Sequence, residues 1–242
     1  MAQPRSIYAL KSYWRQWRSG QLSREDRNIL NFTIDTAIQG LIMGGISTYL
    51  SVFVVRLGAS SLLVSLLTSL PAVLMALLSI PVGLWVERQP DNIRLTNRVR
   101  LFHRGAFLLI AFLPFVLKRY LAEAVVIVWT LNSVPATVIN LSWMAVVAEI
   151  IPPRRRPSVN GARWALLSLV TAVTVALFGY LLERMAFPIN YQIVFAVSFV
   201  SGLGSIYFFG LLELPPRDAT PTPAVSTPHV QDTKTFAPTH RL

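Results

Sequence analysis

Asn31, Asp35 and Gln39 are spaced four residues apart, so on a helix their side chains share one face. They lie in the first half of a long apolar run, and Asp35 reads as the only ionisable residue well inside any such run. A carboxylate in hydrocarbon is costly, and it normally faces a bundle interior or an aqueous cavity. Asp35 could carry a proton or bind the cationic part of a solute. Lying about two turns into the run, near the headgroups, it could also be a structural hydrogen-bond partner, and the residues alone leave these readings open. Further along, Trp129, Asn132, Asn140 and Trp143 form a second candidate lining for a cavity. Ser168, Thr171 and Thr174 recur every three to four residues, where hydroxyls more often bond their own helix or a neighbour than a solute.

Enzyme chemistry finds little support. The chain has 0 Cys, which excludes disulfides, thiolate metal sites and cysteine nucleophiles. No His falls in the core of an apolar run, so neither a Ser–His pair nor a histidine metal site can be assembled there. The HExxH, Walker-type and dinucleotide glycine patterns are absent. No catalytic residue, metal site or cofactor is expected.

The elements that must position these side chains are membrane spans. Of the 242 residues, 53% are hydrophobic and only 14% charged. The charges gather at breaks between apolar runs long enough to cross hydrocarbon, which takes ~20 residues in a helix. The expectation is an all-α membrane protein with six transmembrane helices, at about Ile29–Val55, Leu62–Val86, Arg100–Leu117, Ala122–Ala148, Ala162–Leu182 and Ile189–Leu212. Pro71, Pro81, Pro114 and Pro135 lie inside them, where membrane helices tolerate proline as kinks. Gly40-x-x-x-Gly44 and Gly45 give the first span a small-residue seam for close helix packing.

Residues 1–28 form a basic leader. Ile7, Leu10, Trp14 and Trp17 at helical spacing suit either a helix lying in the membrane interface or an unstructured leader, and a cleavable signal peptide is not expected. Residues 29–214 form the six-span domain, and residues 215–242, rich in Pro and Thr, read as a disordered cytoplasmic tail or linker. Most of the 22 Lys and Arg fall in the leader, the tail, the second–third loop (Arg88, Arg94, Arg98, Arg100, Arg104) and the fourth–fifth loop (Arg154, Arg155, Arg156, Arg163). The opposite loops hold Arg56, Lys118, Arg119 and Arg184. By the positive-inside rule both termini are cytoplasmic, in a plasma or inner membrane. This loop-by-loop distribution explains the net charge of +11 without a nucleic-acid partner, which would need the cations on one soluble face.

Gly83-Leu-Trp-Val-Glu87-Arg88 closes the second span, and Gly179-Tyr-Leu-Leu-Glu183-Arg184 closes the fifth, 96 residues later. Three spans separate them, so the expectation is an inverted three-plus-three repeat; the alternative is that a glycine and a charged pair simply recur at span ends.

The chain resembles the amino-terminal half of a major facilitator superfamily transporter. That family carries Gly-x-x-x-Asp-Arg-x-Gly and two basic residues between its second and third spans. Here Gly83, Glu87 and Arg88 match with Glu for Asp, while Pro90, Asp91 and Asn92 depart from the pattern. At the fourth–fifth loop, where members have an acid, Pro-Pro-x-x-Arg-Gly and a later Gly, the matching residues are Glu149, Pro152, Pro153, Arg156 and Gly161, with Pro157 in place of Gly.

The resemblance implies a secondary transporter of a small solute, its family members having twelve spans in two six-span halves with the solute bound between them. It implies that Gly83, Glu87, Arg88, Glu149 and Arg156 belong to a cytoplasmic gate and charge network. It also implies that this chain represents one half, as a truncated product or as a half that pairs with a second six-span half or a second copy of itself. The alternative is a non-transporting membrane subunit or assembly factor of a larger complex. The lipid bilayer is a partner in either case.

Overall fold

Ser23 starts the first helix: its hydroxyl accepts the Asp26 N–H at 3.2 Å, and Glu25 and Asp26 sit in the first turn, where acids favour the helix dipole. The computed structural model describes residues 23–214. The expected interfacial helix around Ile7–Trp17 and the tail of residues 215–242 lie outside the described residues.

The first helix, α1 (Arg24–Ile42), passes through one wide turn at Met43–Ser47 into α2 (Thr48–Arg56). Gly45 in that turn has φ −92° and ψ −107°. Then follow α3 (Ser61–Glu87), α4 (Asn92–Val116), α5 (Leu121–Leu131), α6 (Ser133–Ile150), α7 (Arg156–Arg184) and α8 (Ile189–Gly210). The break between α5 and α6 falls at Asn132, where Pro135 cannot donate to the carbonyl four residues back and crowds it. Taking α1–α2 and α5–α6 as single interrupted spans, the described residues contain six helices long and apolar enough to cross a membrane, as expected.

One boundary needs correction. The third span does not begin at Arg100: Asp91 caps α4 by accepting the Arg94 N–H at 2.9 Å, and the helix starts eight residues earlier. Arg100 and Arg104, read from sequence as loop cations, lie inside the bundle at 2% and 5% exposure. Asp35 is therefore not the only ionisable residue inside a span. His103, on the same helix, is partly buried, so a histidine does lie within a span. Charge alone marked the boundary in the sequence, but these arginines find partners within the bundle.

The packing follows a symmetric plan. The first span packs on the fifth and sixth, the fourth packs on the second and third, and the third packs on the sixth. Exchanging first with fourth, second with fifth and third with sixth leaves this pattern unchanged. Spans three apart run in opposite directions, which makes the arrangement an inverted three-plus-three repeat. The Gly83–Arg88 and Gly179–Arg184 segments occupy equivalent places at the ends of α3 and α7.

Gly40 and Gly44 bring the first span against α7. A methyl group on Gly40 would stand 2.7 Å from Val170 Cβ, and one on Gly44 would stand 2.8 Å from the Thr171 carbonyl oxygen. Gly45 meets Ser198 of α8. This bears out the close-packing seam read from Gly40-x-x-x-Gly44.

Two apolar clusters fill the interior. Phe32, Ile93, Val146, Ile150 and Phe209 close the arginine-rich end, while Ile46, Phe53, Phe107, Tyr191 and Phe195 belong to a larger cluster toward the other end. On three helices the polar residues fall between these clusters: Asp35 and Gln39 between Phe32 and Ile42, Arg100 and Arg104 between Ile93 and Phe107, Ser205 between Phe195 and Phe209. The bundle thus carries a polar layer inside an apolar frame.

Candidate functional site

The polar layer is one connected network. Arg100 Nη1 donates to Asp35 Oδ1 at 3.0 Å and Nη2 to Oδ2 at 3.4 Å. Ser205, on α8, donates its hydroxyl to Asp35 Oδ1 at 2.6 Å. The same hydroxyl oxygen accepts Arg100 Nη1 at 3.3 Å and Gln39 Nε2 at 3.0 Å. Gln39 Oε1 in turn accepts Arg104 Nη2 at 3.0 Å. One serine therefore ties two rungs together, Asp35–Arg100 and Gln39–Arg104, each four residues along from the other on both helices. The Arg100 guanidinium also lies 4.0 Å over the Phe209 ring, a contact that favours a desolvated cation.

Glycine makes the second rung possible. Arg104 crosses α8 at Gly202, where an added Cβ would come within 2.7 Å of Arg104 Cδ and 2.9 Å of Cγ. Any larger residue at 202 would push the arginine off this path.

Beside the network is a cavity of about 440 Å³, within the usual range for small-molecule sites. Asp35, Gln39, Arg100 and Arg104 border it, with Phe107, Trp129, Trp143, Trp164 and Arg163 completing much of its wall. Its lining comes from the first, third, fourth and fifth spans, so both copies of the repeat contribute. Exposed Met43, Met144 and Trp164 stand at its edge.

The expected site residues divide. Asp35 and Gln39 share the cavity wall. Asn31 is buried and its Nδ2 donates to the Leu211 carbonyl at 3.4 Å, joining α1 to the end of α8. Asn132 sits at the α5–α6 break with its carbonyl accepting His103 Nδ1 at 3.3 Å; neither Asn31 nor Asn132 borders the cavity. The expectation that Trp129, Asn140 and Trp143 line a cavity is met.

The expected gate residues are not joined within this bundle. Glu87, Arg88 and Glu149 are exposed and make no ion pair among the described residues. Arg156 instead holds the end of α6, donating Nε to the Ile151 carbonyl at 2.9 Å and Nη2 to the Ala148 carbonyl at 2.6 Å. Other charges tie this end together: Arg155 bridges to Asp26 at 3.1 Å, and Arg24 and Arg27 pair with Glu213. Asn28 and Glu213 exchange hydrogen bonds at 2.8 and 2.9 Å, pinning the first span to the end of the sixth.

Sequence reading missed Arg100, Arg104, Gly202 and Ser205, and it placed Arg163 in a loop, whereas Arg163 lies within α7 on the cavity wall. The available signal was the shared four-residue spacing of Asp35/Gln39 and Arg100/Arg104 on two parallel spans. It also missed two exposed rows of small residues, Ser65, Ser69, Ala72, Ala76 on α3 and Gly161, Ala165, Ser168, Ala172 on α7. The 96-residue offset carries each member of the first row onto a member of the second.

The sequence model described as Major Facilitator Superfamily matches residues 29–239. Comparison with curated proteins and with solved structures gives no match.

Proposed function

The chain belongs to the Major Facilitator Superfamily, a family of membrane transporters, and on that footing we propose that its cavity is one wall of the binding site of a secondary transporter for a small solute. The observation that carries this is the position of the cavity: it lies beside a buried polar network and takes its lining from both halves of the inverted repeat. Inverted-repeat transporters hold solutes at such repeat interfaces. Asp35 and Gln39 are the expected candidate residues that border it, while Asn31 and Asn132 act as helix-joining groups.

In this reading the six-span bundle works against a second six-span unit, supplied by another chain or by a second copy. The exposed small-residue rows on α3 and α7 support this, since membrane helices use such rows to approach closely. The arginine-rich end faces the cytoplasm in a plasma or inner membrane, where Gly83, Glu87, Arg88 and Glu149 stand ready to pair with that second unit as a gate. Arg156 contributes by fixing the end of the fourth span beside Glu149.

Uptake of labelled solutes into proteoliposomes tests the reading. Gln39→Ala is expected to raise KM while leaving the maximal rate nearly unchanged. Lack of uptake by the chain alone, by its mixture with a second six-span unit, and by native membranes enriched in it would overturn the transport reading.

A further inference from the structure

We propose that the solute taken by this cavity is an organic anion: a carboxylate-like head on an aryl or alkyl body. The inference rests on reading the cavity as the solute site. Its ionisable lining consists of Asp35, Arg100, Arg104, Arg163 and His103, so three arginines face one carboxylate. That carboxylate is already engaged, with Arg100 on both oxygens and the Ser205 hydroxyl on one. A cationic solute would have to displace Arg100 to reach it.

Arg104 has no such partner. It is 5% exposed, its only hydrogen bond among the described residues goes to the neutral Gln39 amide, and its Nε is buried without a partner. A guanidinium carries five donors, so most of its capacity is unused. Arg163 makes no hydrogen bond or ion pair among the described residues, and its guanidinium rests 4.2 Å over Trp143 and 5.2 Å over Trp164. Three arginines around one carboxylate leave an excess of positive charge, which is costly within a membrane, and an anion bound in the cavity beside Arg104 and Arg163 relieves that cost. Planar carboxylates suit arginine forks, while Phe107, Trp129, Trp143 and Trp164 offer the apolar contact that favours an organic body over an inorganic ion.

The test uses the purified full chain in detergent, following tryptophan fluorescence and thermal unfolding with benzoate, inorganic phosphate, benzylamine and benzyl alcohol. Benzoate is expected to quench fluorescence and raise the unfolding temperature, benzylamine and benzyl alcohol to do neither. Arg104→Gln and Arg163→Gln should each weaken benzoate at least tenfold, with Arg98→Gln, on the exposed face of α4, unchanged. Arg163 is only partly buried, so its variant keeps the test valid if Arg104→Gln does not fold. Equal binding of benzylamine or benzyl alcohol, no response to either anion, or benzoate affinity within twofold in both variants would overturn the assignment. A response to phosphate alone would overturn the organic body. Benzoate binding without benzoate counterflow in proteoliposomes supports the anion site and counts against the transport reading; flux of an amine unaffected by Arg104→Gln does the reverse.

Discussion

Asp35 and Arg100 meet through both carboxylate oxygens, at 3.0 and 3.4 Å, although the helices that carry them make little direct contact. The first and third spans each pack on the sixth, and long arginine side chains bridge the gap over Ser205 and Gly202. The third span is therefore placed relative to the first by a polar network as well as by apolar packing. Such a connection has discrete bonded and broken states, which suits a bundle whose helices shift during transport.

Breaking the pair from one side should be costly. Arg100→Ala leaves a buried carboxylate, and removal of one partner from a buried pair typically costs about 3–5 kcal/mol. Replacing both partners together, Asp35→Leu with Arg100→Met, should cost less than either single removal. Unfolding of the purified chain in a denaturing-detergent titration measures this, and a double variant less stable than both single variants would contradict it.

Gly202→Ala should act through Arg104. The added methyl falls on the Arg104 side chain at 2.7–3.0 Å, tighter than van der Waals contact allows, and overpacking of this kind costs about 1–3 kcal/mol. Gly105→Ala, on the neighbouring helix with nothing within 4 Å of the new methyl, should be near neutral. Thermal unfolding of the two variants side by side checks the contrast.

The overall architecture was legible because hydrocarbon imposes a length and a composition on every span, and loop arginines mark where spans stop. That same rule hid the site. Arg100 and Arg104 looked like the final cations of a basic loop, since a sequence read by charge cannot tell an arginine facing water from one folded back onto a buried carboxylate. Ser205 and Gly202 gave no local signal; their roles exist only where α8 lies between α1 and α4. The 96-residue echo at Gly83 and Gly179 was visible, but its meaning depended on the symmetric packing pattern. Asp35 stood out correctly as a residue that needs a partner, though not as one whose partner comes from the third span.

Asp35→Asn separates proton carriage from positioning. The carboxylate is engaged by Arg100 and Ser205, which favours a positioning role, so the variant should lose stability and flux while the remaining flux keeps its dependence on pH. Uptake measured across a series of external pH values decides this. A profile made flat by the substitution would assign proton coupling to Asp35.

Arg88→Ala bears on the gate. Arg88 and Glu87 are exposed at the end of α3 without an ion pair among the described residues, so the substitution should leave bundle stability within about 0.5 kcal/mol, as surface changes usually do. If the pair closes against a second unit, the same substitution should change the labelling of a cysteine introduced near Gly83 in intact membranes. Unaltered labelling would remove Arg88 from the gate.

The exposed rows on α3 and α7 predict how a second unit sits. α7 packs beside the first span and α3 beside the fourth, places that the repeat makes equivalent. A second unit of the same orientation, related by a two-fold axis along the membrane normal, brings α3 of one against α7 of the other. The chain has 0 Cys, so single cysteines report cleanly. Chains carrying Ala76→Cys and Ala172→Cys, expressed together, should crosslink to each other in native membranes. A cysteine at Phe102, 76% exposed on the third span, should not crosslink. Ala72→Trp added to the Ala76→Cys chain should abolish the crosslinked product while leaving the stability of the bundle nearly unchanged, because Ala72 is exposed among the described residues. If Ala76 and Ala172 cysteines yield only monomer, with no other six-span chain recovered alongside, the rows face lipid and the pairing idea fails.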